Sequence, residues 1–184
     1  MNTLDNPNFN NPINVSPRPI AIRWGLISGT IGVAISLLGY LSGTLNPSSN
    51  FSGTQLLWTF LSLGATIYCI YMMQTQHRDN ELGGFISLGR CVGLGAISGL
   101  VSGAIGGIFA VVLFGFIEPN FMHDAMVKAW QDQGLNEEQI EMASKMAGMM
   151  TSPTMMFLMS ILSGVIGGVI LGLLIGLMTR KERV

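Results

Sequence analysis

Long uncharged tracts alternate with short polar segments along the chain. Asp, Glu, Lys and Arg are missing from three stretches, Trp24 to His77, Cys91 to Ile117 and Met146 to Thr179. A bilayer core of about 30 Å requires roughly 20 apolar residues in a helix that rises about 1.5 Å per residue. The tracts therefore predict four transmembrane helices, at about 20–41, 56–73, 91–117 and 155–178. The fold class we expect is an all-α integral membrane protein built as a four-helix bundle.

Composition supports this class and limits the domain organisation. Charged residues make up 10% of the 184 residues, against about 25% in soluble proteins. Four spans leave room for one membrane domain, at 20–181, and for no separate soluble domain. Residues 1–19 contain six Asn and four Pro and predict a disordered cytoplasmic tail. The net charge of −1 argues against nucleic acid as a partner.

The distribution of basic residues predicts the orientation. Cytoplasmic loops of membrane proteins carry an excess of Lys and Arg. Seven of the nine basic residues fall before span one, between spans two and three, or after span four: Arg18, Arg23, Arg78, Arg90, Arg180, Lys181 and Arg183. The other connections hold only Lys128 and Lys145. Both termini are therefore expected in the cytoplasm.

Two spans carry a glycine at every fourth position. The predicted helix-packing residues are Gly95, Gly99, Gly103 and Gly107 in span three, and Gly164, Gly168, Gly172 and Gly176 in span four. Residues four apart share one face of a helix, and small residues let transmembrane helices approach closely. We expect these faces to pack within one subunit. The alternative is self-association into an oligomer, with the glycine faces around a pore.

The segment 118–154 is predicted to form two short amphipathic helices outside the cytoplasm. Gly134 would end the first helix, and Asn136 with Gln139 has the spacing of a capping box at the start of the second. Ser152 and Pro153 favour the start of span four. We expect these helices to lie on the membrane surface or on the outer end of the bundle.

Methionines concentrate around this segment. Four of them, Met142, Met146, Met149 and Met150, share roughly one side of the second helix. Thioethers are soft ligands that select Cu(I), and His123 could add a nitrogen, so a copper site is one hypothesis. The alternative is that Met fills irregular apolar contacts. No metal or other cofactor is expected on balance.

No catalytic arrangement is visible in the spans. An ionisable residue inside a span marks most intramembrane reaction or proton pathways, but here every charged residue and both His are expected at span ends or outside. His77 and His123 are predicted on opposite sides of the membrane. We therefore expect the protein not to be an enzyme.

Three short motifs resemble a known family. They are Gly83-Gly84-Phe85-Ile86-Ser87-Leu88-Gly89 before span three, Ile117-Glu118-Pro119 after it, and Ser152-Pro153 before span four. Together they resemble the small four-helix bacterial membrane proteins known as domain of unknown function 4199, over about residues 23–181. The resemblance implies the inner membrane of a Gram-negative cell, with 118–154 in the periplasm. It implies no activity, substrate or catalytic residue.

Three functions are compatible with this sequence. The first is an accessory or scaffold subunit that binds other membrane components through its glycine faces or its outer helices. The second is a small oligomeric channel or transporter for a neutral solute, since no charged ring for ion selection lies within the spans. The third is periplasmic Cu(I) binding. The expected partners are the lipid bilayer and either further copies of the chain or another membrane protein.

Overall fold

The computed structural model describes residues 15–43, 53–150 and 152–180, and these fold as helices joined by turns. Within these described residues, four helices are long and apolar enough to cross a membrane. They are α1 (Arg18–Leu41), α2 (Gly53–Gln76), α3 (Leu88–Val112) and α6 (Pro153–Thr179). Two shorter helices, α4 (Phe121–Asp132) and α5 (Glu137–Met150), connect α3 to α6. These helices confirm the predicted all-α fold with four long apolar helices.

The long helices run alternately up and down. Contacts between α3 and α6 pair Gly95 with Gly168 and Gly103 with Ser160, so these two helices are antiparallel. At one end, the basic end, Arg78 donates a hydrogen bond to the Thr179 backbone and Arg90 donates one to the Val15 backbone. The opposite end carries α4 and α5, and we call it the loop end.

The hydrophobic core lies toward the basic end. The buried apolar side chains there come from all four long helices and from the turn after α2: Ile20, Ala21, Ile70, Met73, Leu82, Ile86, Cys91, Leu94 and Ile175. Exposed apolar side chains occur at both ends, for example Leu57 and Phe116 toward the loop end and Leu177 and Met178 at the basic end. The buried cluster, however, is concentrated at the basic end.

Helix boundaries differ from the sequence prediction by a few residues. The segment 1–19, expected as a tail, overlaps α1, which begins at Arg18, and Val15 packs against the core; residues 1–14 lie outside the described part. Span two was expected to end at residue 73, but α2 continues to Gln76 and then into a π-helical turn, His77–Glu81. A second π-helical turn, Leu113–Ile117, ends α3.

The predicted helix ends are confirmed by their hydrogen bonds. The Ser152 hydroxyl accepts from the Met155 amide, and Pro153 occupies the first turn of α6. Asn136 and Gln139 form reciprocal side-chain to backbone bonds of 2.9 and 3.1 Å, which is the capping box. Gly134 follows α4 with φ +77°, a conformation that glycine adopts without strain.

Helices α4 and α5 pack against each other, and α5 also contacts α6. At the same end, the Tyr40 hydroxyl donates a 3.0 Å hydrogen bond to Glu118. This bond ties the end of α1 to the end of α3, directly before α4 begins. The short helices therefore form a connection over the loop end.

Candidate functional site

The eight predicted packing glycines lie in the contact between α3 and α6 inside a single chain, and six of them meet one another. A Cβ added to Gly95 would lie 2.1 Å from the Gly168 carbonyl oxygen, and one on Gly99 would lie 2.1 Å from that of Gly164. The reverse distances, from Gly164 and Gly168, are 2.4 and 2.2 Å. Such separations leave no space for any side chain, so α3 and α6 touch backbone to backbone.

The remaining glycines of the two rows extend this contact in both directions. Gly172 and Gly176 face Cys91, while Gly103 faces Ser160 and Gly107 faces Phe157. A Cβ at any of these four positions would come within 2.7 to 2.9 Å of its neighbour. The contact therefore follows α3 and α6 over more than four turns. Because both glycine faces are covered by each other, neither is free to contact another subunit unless the two helices separate.

A weaker row on α1 seats that helix against α3. A Cβ on Gly25 would lie 2.8 Å from Val101 Cβ, and one on Gly29 would lie 2.8 Å from Ile105 Cδ1. The nearest backbone atoms are the Ser98 oxygen, at 2.9 Å from the Gly25 position, and the Ser102 Cα, at 3.1 Å from the Gly29 position, so the approach is less close than between α3 and α6. Helices α1, α3 and α6 together form a tightly packed group.

A buried polar network joins α2 to α6 at the basic end. Gln74 and Thr179 are 0% and 3% exposed. The Thr179 hydroxyl donates 2.7 Å to Gln74 Oε1 and also contacts the Ile175 carbonyl, and Gln74 Nε2 donates 2.9 Å to the Gly172 carbonyl. Every polar atom of the Gln74 amide is thus matched with α6, as a buried amide requires.

The π-helical turn after α2 contributes a second buried polar group. His77 is 0% exposed, its Nδ1 lies 2.7 Å from Glu81 Oε2, and its Nε2 has no hydrogen-bond partner among the described residues. The sequence placed His77 at a span end, but it did not predict that the ring would be enclosed. Trp24 Nε1 donates 2.9 Å to Gln76 Oε1 close by, so this turn is held from α1 as well.

A cleft separates α1 from α2 in the half toward the loop end. We call it the outer cleft; it has a volume of about 420 Å³ and is lined by Ile35, Ser36, Gln55, Trp58, Thr59, Ser62, Leu63 and Thr66. Thr59 and Thr66 hydroxyls donate to carbonyls of their own helix, Gln55 and Ser62. The lining mixes apolar surface with several hydroxyls and one amide, and it contains no ionisable group.

A second pocket lies among all four long helices. Thr66 lines both this pocket and the outer cleft. This central pocket has a volume of about 310 Å³. Its polar lining consists of hydroxyls, those of Ser28, Thr66, Ser98, Ser102, Ser160 and Ser163, and the rest is glycine, Ile70 and Leu171. The sequence did not predict that these serines would line one pocket, because their meeting depends on how four distant segments pack.

The structure leaves the copper hypothesis untested. Met142 and Met146 lie one turn apart on α5, with 60% and 72% of their surfaces exposed. The side chains of Met149 and Met150 lie outside the described part. His123 lies on α4, with its ring 57% exposed and its Nδ1 3.6 Å from Asp124. Among the described residues, His, Cys, Asp and Glu form no group of three suited to a metal.

Comparison with known proteins gives one match. No curated protein and no solved structure matches the chain. The model of one family matches residues 23–181, which covers α1 from its second turn, the three other long helices and the connection over the loop end. The resemblance expected from the three short motifs is thereby confirmed: the chain belongs to the family described as protein of unknown function (DUF4199).

Proposed function

We propose that this protein is a non-enzymatic, multi-pass subunit of the inner membrane that binds another membrane protein. The observation that supports this function best is the outer cleft, where two candidate spans of one chain leave a gap lined by Ser36, Gln55 and Thr59. Polar side chains of this kind join transmembrane helices through hydrogen bonds. A transmembrane helix of a partner would fill the gap.

The packing of the other helices explains why the partner would bind at this cleft. The glycine faces of α3 and α6 are occupied by each other, and the α1 glycines are occupied by α3. By contrast, the loop-end half of α2 exposes Leu57, Phe60 and Leu61 by 54% to 68%. The glycine faces therefore serve the stability of the subunit, and α1 with α2 provides the surface for the partner.

The proposed orientation places both termini in the cytoplasm and α4 and α5 in the periplasm. Five basic residues support it, because Arg18, Arg23, Arg78, Arg90 and Arg180 all lie toward the basic end of the bundle. An excess of Arg and Lys favours the cytoplasmic side.

Site-specific photo-crosslinking in native membranes tests the proposed partner surface. A photo-reactive residue at Thr59 faces the outer cleft, and the matched control at Leu158 lies on α6, outside the cleft lining, with 55% exposure. We expect a discrete protein adduct from position 59 and only lipid adducts from position 158. Lipid adducts alone at both positions would contradict the proposal.

Transport of a neutral solute is the second candidate, and the central pocket favours it. Its lining is uncharged and polar, which suits a neutral solute better than an ion. In this version the path would pass between α2 and the other helices, since the glycine faces are closed by the α3–α6 contact. Copper binding by the outer helices stays a prediction, which retention of Cu(I) by the purified protein would test.

A further inference from the structure

The hydroxyls that line the central pocket are unequal in their hydrogen bonding. Ser28 donates to the Gly25 carbonyl, Thr66 to that of Ser62, and Ser102 to that of Gly99, each within its own helix. The Ser98 residue is 3% exposed, yet its hydroxyl forms no hydrogen bond with another described residue. Because Ser98 lines the pocket, a molecule there can pair with its hydroxyl, and one such hydrogen bond contributes about 1 kcal/mol.

The remainder of the lining defines what that molecule can be. The pocket wall contains no ionisable side chain, so a charged group entering it would find no counter-charge. Ile70 and Leu171 supply apolar contacts beside the hydroxyls. At about 310 Å³ the pocket is at the small end of the range for ligand sites, which runs from about 300 to 1,000 Å³.

We propose that the central pocket binds a small uncharged molecule that has one hydrogen-bonding oxygen and a short apolar body, with Ser98 as the hydrogen-bond donor. This site shares Thr66 with the outer cleft, but its other lining residues differ, and it does not depend on a partner. This chemistry would arrive from the lipid phase as an alcohol or carbonyl amphiphile.

Photo-labelling of the full chain in lipid nanodiscs tests this site. The probe is octanol that carries a diazirine, and labelled positions are read by peptide mass spectrometry. We expect labelling to concentrate on the peptides that contain Ser98–Gly106 and Ser160–Gly168. Unlabelled octanol should compete for the site, and octane, which lacks the oxygen, should compete much less.

Two serine variants distinguish labelling of the pocket from labelling through general contact with lipid. Ser98→Ala should reduce labelling about fivefold, which corresponds to a hydrogen bond of about 1 kcal/mol. Ser102→Ala is the matched control, because that hydroxyl is already paired with the Gly99 carbonyl, and labelling should change less than about twofold.

A pocket-filling variant provides an independent test. A Cβ at Gly167 would meet nothing within 4 Å, although this glycine lines the pocket. Gly167→Leu should therefore fill the space without disturbing the helices and abolish labelling. Gly64→Leu is its control, because this position is equally open but lies outside the pocket.

Competitors then test the chemistry of the ligand. Competition by octanol but not by glycerol would support a membrane-dissolved amphiphile, because glycerol lacks the apolar body. Equal competition by glycerol and octanol would overturn the proposal. Labelling spread evenly over the lipid-facing helices and unaffected by Gly167→Leu and Ser98→Ala would overturn the proposal. Equal competition by octane and octanol would also overturn it, because the oxygen would then have no role.

Discussion

Individual glycines in this bundle differ in what a side chain would meet. Gly99 lies against the backbone of Gly164, while Gly167, on the same helix as Gly164, borders open space. The spacing of four in the sequence identifies the first group, since such residues share a face. The spacing cannot tell whether that face meets a helix of the same chain, because this depends on the tertiary arrangement.

We expect Gly99→Ala to destabilise the protein by about 1–3 kcal/mol, the range for overpacked cores. Its Cβ would lie 2.1 Å from a carbonyl oxygen, so α3 and α6 would have to move apart. Gly167→Ala is the control and should be neutral or slightly stabilising, because Ala favours a helix over Gly by up to about 1 kcal/mol. Thermal unfolding of both variants in the same lipid or detergent measures this, and equal effects would contradict the packing described.

The pair of Gln74 and Thr179 should behave as one unit in a double-mutant cycle. Thr179→Val leaves the buried Gln74 Oε1 without its 2.7 Å partner, at a cost of about 1–3 kcal/mol. Gln74→Met removes that atom, so the double variant should be more stable than the sum of the single effects predicts, by at least about 0.5 kcal/mol. Additive effects on the free energy of unfolding would show that the two side chains are not coupled.

At the scale of helices, the hydrophobic pattern predicted how many there are and most of their ends. It failed at the end of α2, because hydropathy falls after Met73 while the helix continues through Gln74 to Gln76. Gln74 is accommodated by Gly172 and Thr179, which are 98 and 105 residues away. Partners so distant leave no local signal, and the enclosure of His77 was missed for the same reason.

The capping box makes a prediction about α5 alone. Asn136→Ala removes the 2.9 Å bond to the Gln139 amide and should weaken the first turn by about 1 kcal/mol. Amide hydrogen exchange in that turn should then become about fivefold faster. Asn120→Ala is the matched control, because Asn120 precedes α4 without a side-chain capping bond, and exchange in α4 should not change. An equal increase of the exchange rate in both helices would contradict the capping role of Asn136.

At the scale of the whole molecule, the basic residues of separate segments meet at one end of the bundle. The sequence predicted this arrangement from charge counts alone, and the positions of Arg18, Arg78, Arg90 and Arg180 in the fold agree with it. The central pocket was not predictable, because its lining combines single residues of α1 and α2 with short stretches of α3 and α6. Each of the lining hydroxyls is common in a transmembrane helix, and a polar pocket forms only where the four helices bring them together.

Reporter fusions test the proposed orientation of the bundle. A reporter that is active only in the cytoplasm should function when fused after residue 184. A reporter that requires the periplasm should function when inserted at Gly134, in the turn between α4 and α5. Activity of the periplasmic reporter at the C-terminus would reverse the proposed topology.

The composition of the complex in native membranes tests the proposed role most directly. The complex would be solubilised gently from membranes in which the protein is expressed at its native level. Native mass spectrometry would then measure the mass of the complex and identify its subunits. We expect a different membrane protein at fixed stoichiometry, lost or weakened when Thr59→Trp fills the outer cleft. A complex that contains only copies of this chain, or a bare monomer, would contradict the account.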